Sequence, residues 1–469
     1  MSLGRTSLFH FSTQLVTSVA GFLATFVIAR YLGASTLGVF VQATALIAVV
    51  TLPTKTLTGA ANKRISERKE PDKYFTACII LLLGFVTAIG TLMVVGSPLL
   101  DAYLGAPVAG LVILYMISNS ILDLYTSVLT GEKKVVASGV LHAIEQGLRF
   151  LLQFSLILLG YTLAGLFFGQ ILSLIGAALV GVYISDLQIR RPSWFHARRL
   201  LNFAKYTWMN QIKGRSFSWM DILILGVFVE SSLVGIYEVS WTLASVLILV
   251  SQSVQQTLFP ELSELGVDQE YDKVRHYLEE GLVFVGIFAI PGFFGSLVIG
   301  GDLLTIYRPV FGQGQPVLLF LIVARLLDAY ASHLVSALSA IDHPEFVFRV
   351  GVVFTIINVG LNLLLIWLFG WIGAAVATCF AAFVELVLGY VYLSRIIGQI
   401  HIPIRTIGSE LGAGLLMAGA LFVLTQFVPV TNYTVLGLVT LGAAIYVSVL
   451  LAVSVRVRQK TQMLLGSWG

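Results

Sequence analysis

Apolar runs of about 20 residues alternate with short polar breaks along almost the whole chain, and a helix rising about 1.5 Å per residue needs that length to cross about 30 Å of hydrocarbon. Runs bounded this way predict fourteen transmembrane helices, at 9–31, 36–60, 74–96, 107–130, 135–159, 162–185, 203–229, 233–258, 277–300, 315–341, 346–369, 371–394, 407–428 and 433–455. The first run is longer than a signal-peptide core and has no small-residue cleavage site, so it reads as a retained helix. Spans 36–60 and 203–229 are the least apolar of the set.

Composition turns this pattern into a class. The 469 residues are 57% hydrophobic and 11% charged, with a mean hydropathy of +0.92. A soluble chain is about 25% charged, so length here counts helices rather than soluble domains. The two cysteines, Cys78 and Cys379, lie inside apolar runs and read as packing residues, not as a disulfide framework.

Basic residues orient the helices, because cytoplasmic loops retain Lys and Arg. With the N-terminus cytoplasmic, only Arg30 and Arg308 of the 28 Lys and Arg fall in outside loops. Five more, Lys55, Arg149, Lys213, Arg215 and Arg325, fall inside spans, and the remaining 21 all fall on the cytoplasmic side. That alternation predicts fourteen spans with both termini cytoplasmic.

An internal repeat organises the spans. Residues 27–46, VIARYLGASTLGVFVQATAL, align with residues 224–243, ILGVFVESSLVGIYEVSWTL, at an offset of 197 that pairs Gly38 with Gly235 and Phe40 with Tyr237. GYTLAGLF (160–167) and GWIGAAVA (370–377) form a second pair, offset by 210. An even number of spans separates the repeats, so the halves are parallel, an arrangement found in transporters with the substrate site between the halves. The expected fold is an all-α integral membrane protein of two parallel six-helix lobes around a central cavity, residues 1–190 and 191–400, with two further helices and a cytoplasmic tail in 401–469.

Several segments carry a family resemblance: ARYLGASTLGVF after span 1, SWMDILILGVFVESSLVGIYEVSWTLAS across spans 7 and 8, SQSVQQTLFPELSEL after span 8, and FGWIGAAVATCFAAFVELVLG at spans 11 and 12. They resemble polysaccharide flippases of the O-antigen (Wzx) type, in the superfamily that also holds the lipid II flippase and the multidrug and toxic compound extruders. The resemblance implies alternating access and a polyprenyl- or dolichyl-linked oligosaccharide moved head-group first across a prokaryotic cytoplasmic membrane. An ion-coupled multidrug or cation antiporter of the same superfamily is the alternative, and a membrane enzyme a remote third.

Intramembrane charges supply the candidate chemistry, since a cation at the bilayer centre costs at least about 2.5 kcal/mol and is retained where a cavity or partner receives it. Lys55, Arg149, Lys213, Arg215 and Arg325 are the candidate phosphate-binding cations, because Lys and Arg donors replace the hydration that a phosphate loses. Lys55 has no acidic residue within four positions; its stripe of Thr51, Leu52, Thr58 and Gly59 suits either a wet cavity or a snorkelling lysine. Glu145 and Arg149 at i, i+4, and Arg325 and Asp328 at i, i+3, have the spacing of intrahelical pairs. Lys213 and Arg215 lie about 200° apart on an ideal helix, and Gly214 between them permits local unwinding. Asn210, Gln211, Trp219, Asn358 and Asn362 are candidate sugar contacts. The carboxylates Asp123, Glu145, Asp221, Glu238, Asp328 and Glu385 are candidates for binding a coupling H+ or Na+.

Signals for covalent chemistry are absent: the chain has no P-loop, CxxC or HExxH, its seven His are dispersed, and GQGQPV (312–317) lacks the third glycine of a dinucleotide loop. A transporter rather than an enzyme is expected, open to coupling with H+ or Na+ but needing no cofactor or metal and binding no nucleic acid. Its expected partners are the lipid-linked oligosaccharide and membrane lipids, and it is expected to be a monomer. The acidic amphipathic segment 261–281, predicted to form a cytoplasmic surface helix, is a candidate contact for glycan-assembly enzymes.

Overall fold

The computed structural model describes residues 21–429 and 431–453, with the side chains of 206–213, 215 and 432 outside that description. Among the described residues every regular element is helical. In chain order the α-helices are α1 (Gly21–Leu32), α2 (Ala34–Val50), α3 (Leu52–Ser66), α4 (Pro71–Val95), α5 (Ser97–Leu104), α6 (Ala109–Gly131), α7 (Val135–Leu158), α8 (Leu163–Ile184) and α9 (Trp194–Phe228). They continue with α10 (Ser231–Val246), α11 (Leu249–Val267), α12 (Tyr271–Leu282), α13 (Gly286–Thr305), α14 (Gln315–Ala340), α15 (Pro344–Phe369), α16 (Trp371–Ile397), α17 (Ile404–Phe427) and α18 (Asn432–Val453).

Ten of these segments are long and apolar enough to cross a membrane, or twelve when each of two bent pairs counts as one span. The two other expected spans, 9–31 and 203–229, show among the described residues the shorter apolar helices Gly21–Leu32 and Ser216–Phe228. Large apolar side chains such as Leu83, Leu92, Val95, Leu158, Leu179 and Trp367 are exposed along the spans. That surface is where hydrocarbon replaces water, and a helix satisfies its own backbone there. The chain is a multi-pass membrane protein.

The bends fall at repeat-related positions. Helices α2 and α3 meet at 51°, and α10 and α11 at 52°. The residues at the breaks, Thr51 (φ −86°, ψ 6°) and Ile248 (φ −105°, ψ 4°), stand 197 positions apart, the offset that pairs Gly38 with Gly235. Pro53 stands in the first turn after the first bend, where its missing N–H costs no helical hydrogen bond. No proline stands near Ile248. The bend therefore belongs to the position in the fold, and Pro53 accommodates it. The second repeat pair behaves alike: Gly160 and Gly370 both take positive φ, 87° and 61°, in the tight turns between α7 and α8 and between α15 and α16.

The described residues form two compact units, 21–235 and 236–453. The repeat divides the chain near 190, whereas the boundary between compact units falls at 235/236, because α9 packs on α2, α3 and α4. In the first unit α3, α4, α6 and the start of α9 share a core around Leu57, Tyr74, Phe75, Val128 and Leu200. In the second unit α11, α12, α14 and α16 bury Leu262, Val274, Leu278, Leu334 and Leu393 together. A separate cluster joins α13 to α17 and α18 through Ile299, Met417, Leu421 and Tyr446. Segment 261–281 is helical as expected, split between the end of α11 and the amphipathic α12, whose Val274, Leu278 and Leu282 are buried.

Outside the spans, the α3–α4 connection is tied to the start of α9. The Ser193 N–H donates to His196 Nδ1, so Nε2 carries the ring proton and donates to Glu70 at 2.9 Å. Lys73 and then His196 hold the Glu70 carboxyl below the usual carboxylate range.

Within the first unit, α2 and the first turns of α10 cross backbone on backbone. A Cβ built at Gly38 would fall inside the Ser231 carbonyl, and one built at Gly235 would fall inside the Ala34 carbonyl. Ala34 and Ser231 are themselves related by the 197-residue offset, so the contact is reciprocal. Gly38→Ala and Gly235→Ala should each lower the thermal midpoint of the purified protein, at the scale of about 1–3 kcal/mol or more that overpacking costs. Gly360→Ala, where nothing lies within 4 Å, should leave it unchanged or raise it. Equal behaviour of the three variants would show that the crossing does not need its glycines.

Candidate functional site

Helix α6 carries the centre of the polar constellation in the first unit. Its start is fixed by Asp101 of α5, whose Oδ1 accepts the N–H groups of Val108 and Ala109 at 2.8 and 2.7 Å and so caps the positive end of the helix. Further along, Tyr115, Asn119 and Asp123 stand at intervals of four. Asn119 Nδ2 donates to Asp123 Oδ2 at 3.0 Å, and Lys55 Nζ of α3 pairs with the same oxygen at 3.5 Å. The two side chains of that pair keep 26% and 23% exposure. The buried Tyr115 side chain lies near Thr44 of α2 and within electrostatic reach of Arg149, Glu145 and Asp123.

Lys55 is therefore not distant from every carboxylate. Its carboxylate comes from another helix, which sequence distance along α3 could not reveal. Its threonines do not line a wet stripe either: Thr51, Thr54, Thr56 and Thr58 donate to Ile47, Thr51, Pro53 and Lys55 carbonyls of their own helices at 2.7–3.1 Å. That back-bonding satisfies the hydroxyls within the bend.

The two intrahelical spacings have opposite outcomes. Arg325 and Asp328 of α14 form their pair at 3.3 Å, 11% and 18% exposed, with the guanidinium 4.9 Å from the centre of the Trp241 ring. Among the described residues Glu145 and Arg149 form no ion pair, because neutral amides intervene. Gln170 Nε2 of α8 donates to the buried Glu145 carboxylate at 3.1 Å, and Arg149 Nη2 donates to Gln146 Oε1. The Arg149 Nε–H is buried and has no hydrogen-bond partner. Arg149 thus keeps donor capacity and full charge in the same constellation as Lys55, Asp123 and Tyr115.

The remaining candidates are dispersed. Helix α9 continues unbroken from Trp194 to Phe228, so Gly214 does not unwind it, and positions 213 and 215 stay about 200° apart around its axis. The side chains of Asn210, Gln211, Lys213 and Arg215 lie outside the described residues. Trp219 is half-buried and Asp221 buried on the same helix. Glu238 of α10 accepts from Thr242 Oγ1 at 3.3 Å. Asn358 and Asn362 of α15 have no exposed surface; Asn358 Nδ2 meets Thr378 Oγ1 of α16 at 3.5 Å, and Asn362 Nδ2 donates to the Asn358 carbonyl at 2.9 Å. In this conformation neither presents an open surface. Glu385 is fully buried on α16. Among the described residues no group of three or more His, Cys, Asp and Glu is arranged to hold a metal.

Asn119, Gln146, Gln170 and Tyr115 were not singled out by sequence. The Asn119–Asp123 spacing of four was a usable signal, but neutral amides in a long apolar run do not stand out as charges do.

The Lys55–Asp123 pair spans two helices in a weakly screening medium, so removing one partner strands the other. Lys55→Gln and Asp123→Asn should each reduce thermal stability, and the double variant should recover part of the loss. A double-mutant cycle should give a coupling on the order of 1 kcal/mol, and strictly additive effects would contradict the pairing.

Comparison with known proteins fits this architecture. A family model described as polysaccharide biosynthesis protein matches residues 27–308. The chain is 34% identical over 470 residues to the probable flippase AglR of Haloferax volcanii, covering 99% of this chain and 98% of that protein. It is 32% identical over 428 residues to the probable low-salt glycan biosynthesis flippase Agl15 of the same organism, covering 90% of each. The solved lipid II flippase MurJ in an inward closed conformation matches with a TM-score of 0.77 at 15% identity, covering 95% of this chain and 98% of that one. At that identity the structural likeness establishes the fold alone. The family match, spanning more than half of the chain, and the near full-length relatives show that this chain belongs to the polysaccharide biosynthesis protein family.

Proposed function

We propose that this protein is a flippase that moves a polyprenyl- or dolichyl-(pyro)phosphate-linked oligosaccharide across a prokaryotic cytoplasmic membrane by alternating access. It acts as a transporter, without covalent chemistry on its cargo. Two near full-length relatives carry the word flippase in their names, one of them with glycan biosynthesis, and this supports the reading. In the same proposal the chain crosses the membrane fourteen times with both termini cytoplasmic, as two parallel six-helix halves and a final helix pair, and works as a monomer.

The observation that carries the reading is Arg149. A guanidinium held in a membrane helix by one neutral amide, with a buried N–H that no group receives, suits an anionic head group. Phosphate oxygens would take that donor through charge-assisted bonds, and Lys55 and Tyr115 stand in the same constellation. Lys213 and Arg215 are proposed to act with it. Arg325, neutralised by Asp328 on its own helix, is a weaker phosphate ligand in this scheme. With no ATP-binding motif in the chain, transport draws on an H+ or Na+ gradient or on a downhill lipid gradient.

Reconstitution in vesicles tests this with a fluorescent polyprenyl-phosphate-linked glycan in one leaflet. Wild-type protein should move it to the other leaflet, Arg149→Gln should slow movement at least about tenfold, the scale of one lost charged hydrogen bond, and Arg149→Lys should keep part of it. Protein abundance and melting should be unchanged, since Arg149 neutralises no carboxylate. Full transport by Arg149→Gln would end the phosphate-site reading, and transport of a lipophilic cation in place of the glycan would end the flippase reading.

A further inference from the structure

The second unit contains an ionisable side chain that the phosphate chemistry does not use. Glu410 lies on α17, six residues inside its start and so about 9 Å along the helix at 1.5 Å per residue. It is 1% exposed, and both of its carboxyl oxygens are buried without a hydrogen-bond partner. The carboxyl rests on Gly286 of α13, where a Cβ would collide with Oε2 and with Ile290. No charge faces it. The titratable groups within its electrostatic reach are the phenols of Tyr330 on α14 and Tyr446 on α18, and the Tyr446 hydroxyl is also buried without a partner. Helix α13 meets it at Gly286. Ala413, one turn further along α17, already belongs to the apolar cluster that joins α13 to α17 and α18.

A carboxylate is not left ionised in such a place: removing it from water with neither a cation beside it nor a hydrogen bond to its oxygens is prohibitive, and the group keeps its proton instead. A sodium ion is a poor alternative occupant, because a hard cation collects a shell of oxygens, and one carboxyl with two phenols supplies too few. We propose that Glu410 is a proton-binding site at the joint between α13 and the helix pair α17–α18. With the proton bound, the neutral carboxyl lets α17 lie on Gly286 of α13. When α17 lifts and water reaches the carboxyl, the proton leaves to that water and the carboxylate stays solvated, which disfavours re-docking until a proton returns. The seating of the last two helices is thereby linked to proton binding. The inference requires a membrane-embedded chain and holds whatever cargo is carried.

Infrared difference spectroscopy on the full-length protein in lipid, wild type against Glu410→Gln, reads the proton directly. At about pH 7, where an ordinary glutamate is ionised, the wild type should show the carbonyl band of a protonated carboxylic acid that the Gln variant lacks. Raising the pH to about 10, far beyond the usual carboxylate range, should convert that band to carboxylate, and adding sodium chloride at constant pH should leave it unchanged. Hydrogen exchange supplies the second arm. After correction for intrinsic rates, amides of α17 should exchange several-fold faster at the high pH in wild type, whereas Glu410→Gln, a neutral side chain of the same shape, should keep slow exchange throughout. Absence of the acid band at neutral pH, its removal by sodium, or identical exchange in both proteins would each overturn the proposal. Because no glycan lipid is involved in either arm, these outcomes are independent of whether the flippase reading stands.

Discussion

Hydrocarbon offers no hydrogen bonds, and the organisation of this protein follows from that constraint. Every backbone amide in the spans must be bonded within the chain, which makes the described regular structure helical throughout. Each ionisable side chain must find a partner, lose its charge or face water. Lys55 is met by Asp123 from another helix, Arg325 by Asp328 on its own, and Glu145 by an amide of α8. Against that background Arg149 and Glu410 are exceptions, one a cation bonded to a neutral amide in place of a carboxylate and the other a buried carboxyl that accepts no hydrogen bond. A transporter of an anionic head group has use for the first. A helix joint that responds to protons has use for the second.

The helices themselves are arranged by small residues and by position within the repeat. Glycines 38 and 235 remove the Cβ atoms that would keep α2 and α10 apart, and carbonyls of Ala34 and Ser231 occupy the space. The bends at Thr51 and Ile248 share an angle and an offset although only one has a proline beside it. Packing without a hydrophobic driving force depends on such close approaches. A pair of bent helices in equivalent places of two repeats also gives an element that can reseat without breaking its ladders elsewhere.

Span positions were legible because apolar length is a direct consequence of bilayer thickness, and residues 71–185 and 315–427 fold within a few residues of the runs that predicted them. The bend in span 36–60 was visible in hindsight as Pro53, while its counterpart at Ile248 has no local signal. Charge partners were legible only along a single helix, and even there competition decided the outcome: Arg325 takes Asp328, but Gln146 and Gln170 separate Arg149 from Glu145. The Lys55–Asp123 pair joins positions 68 residues apart, beyond what spacing can indicate. Glu410 escaped notice because it stands close to a helix start, where a carboxylate ordinarily reaches the head groups; only the packing of α13, α14 and α18 around it encloses it.

The central claim is that unspent cationic donors within the membrane select an anionic lipid-linked glycan. Native mass spectrometry of the protein released from membranes that contain such lipids measures this without requiring transport. Wild type should retain a lipid-phosphate glycan as a bound mass, and Arg149→Gln should lose it while remaining folded. Equal retention by both proteins, or retention of uncharged lipids alone, would contradict the account.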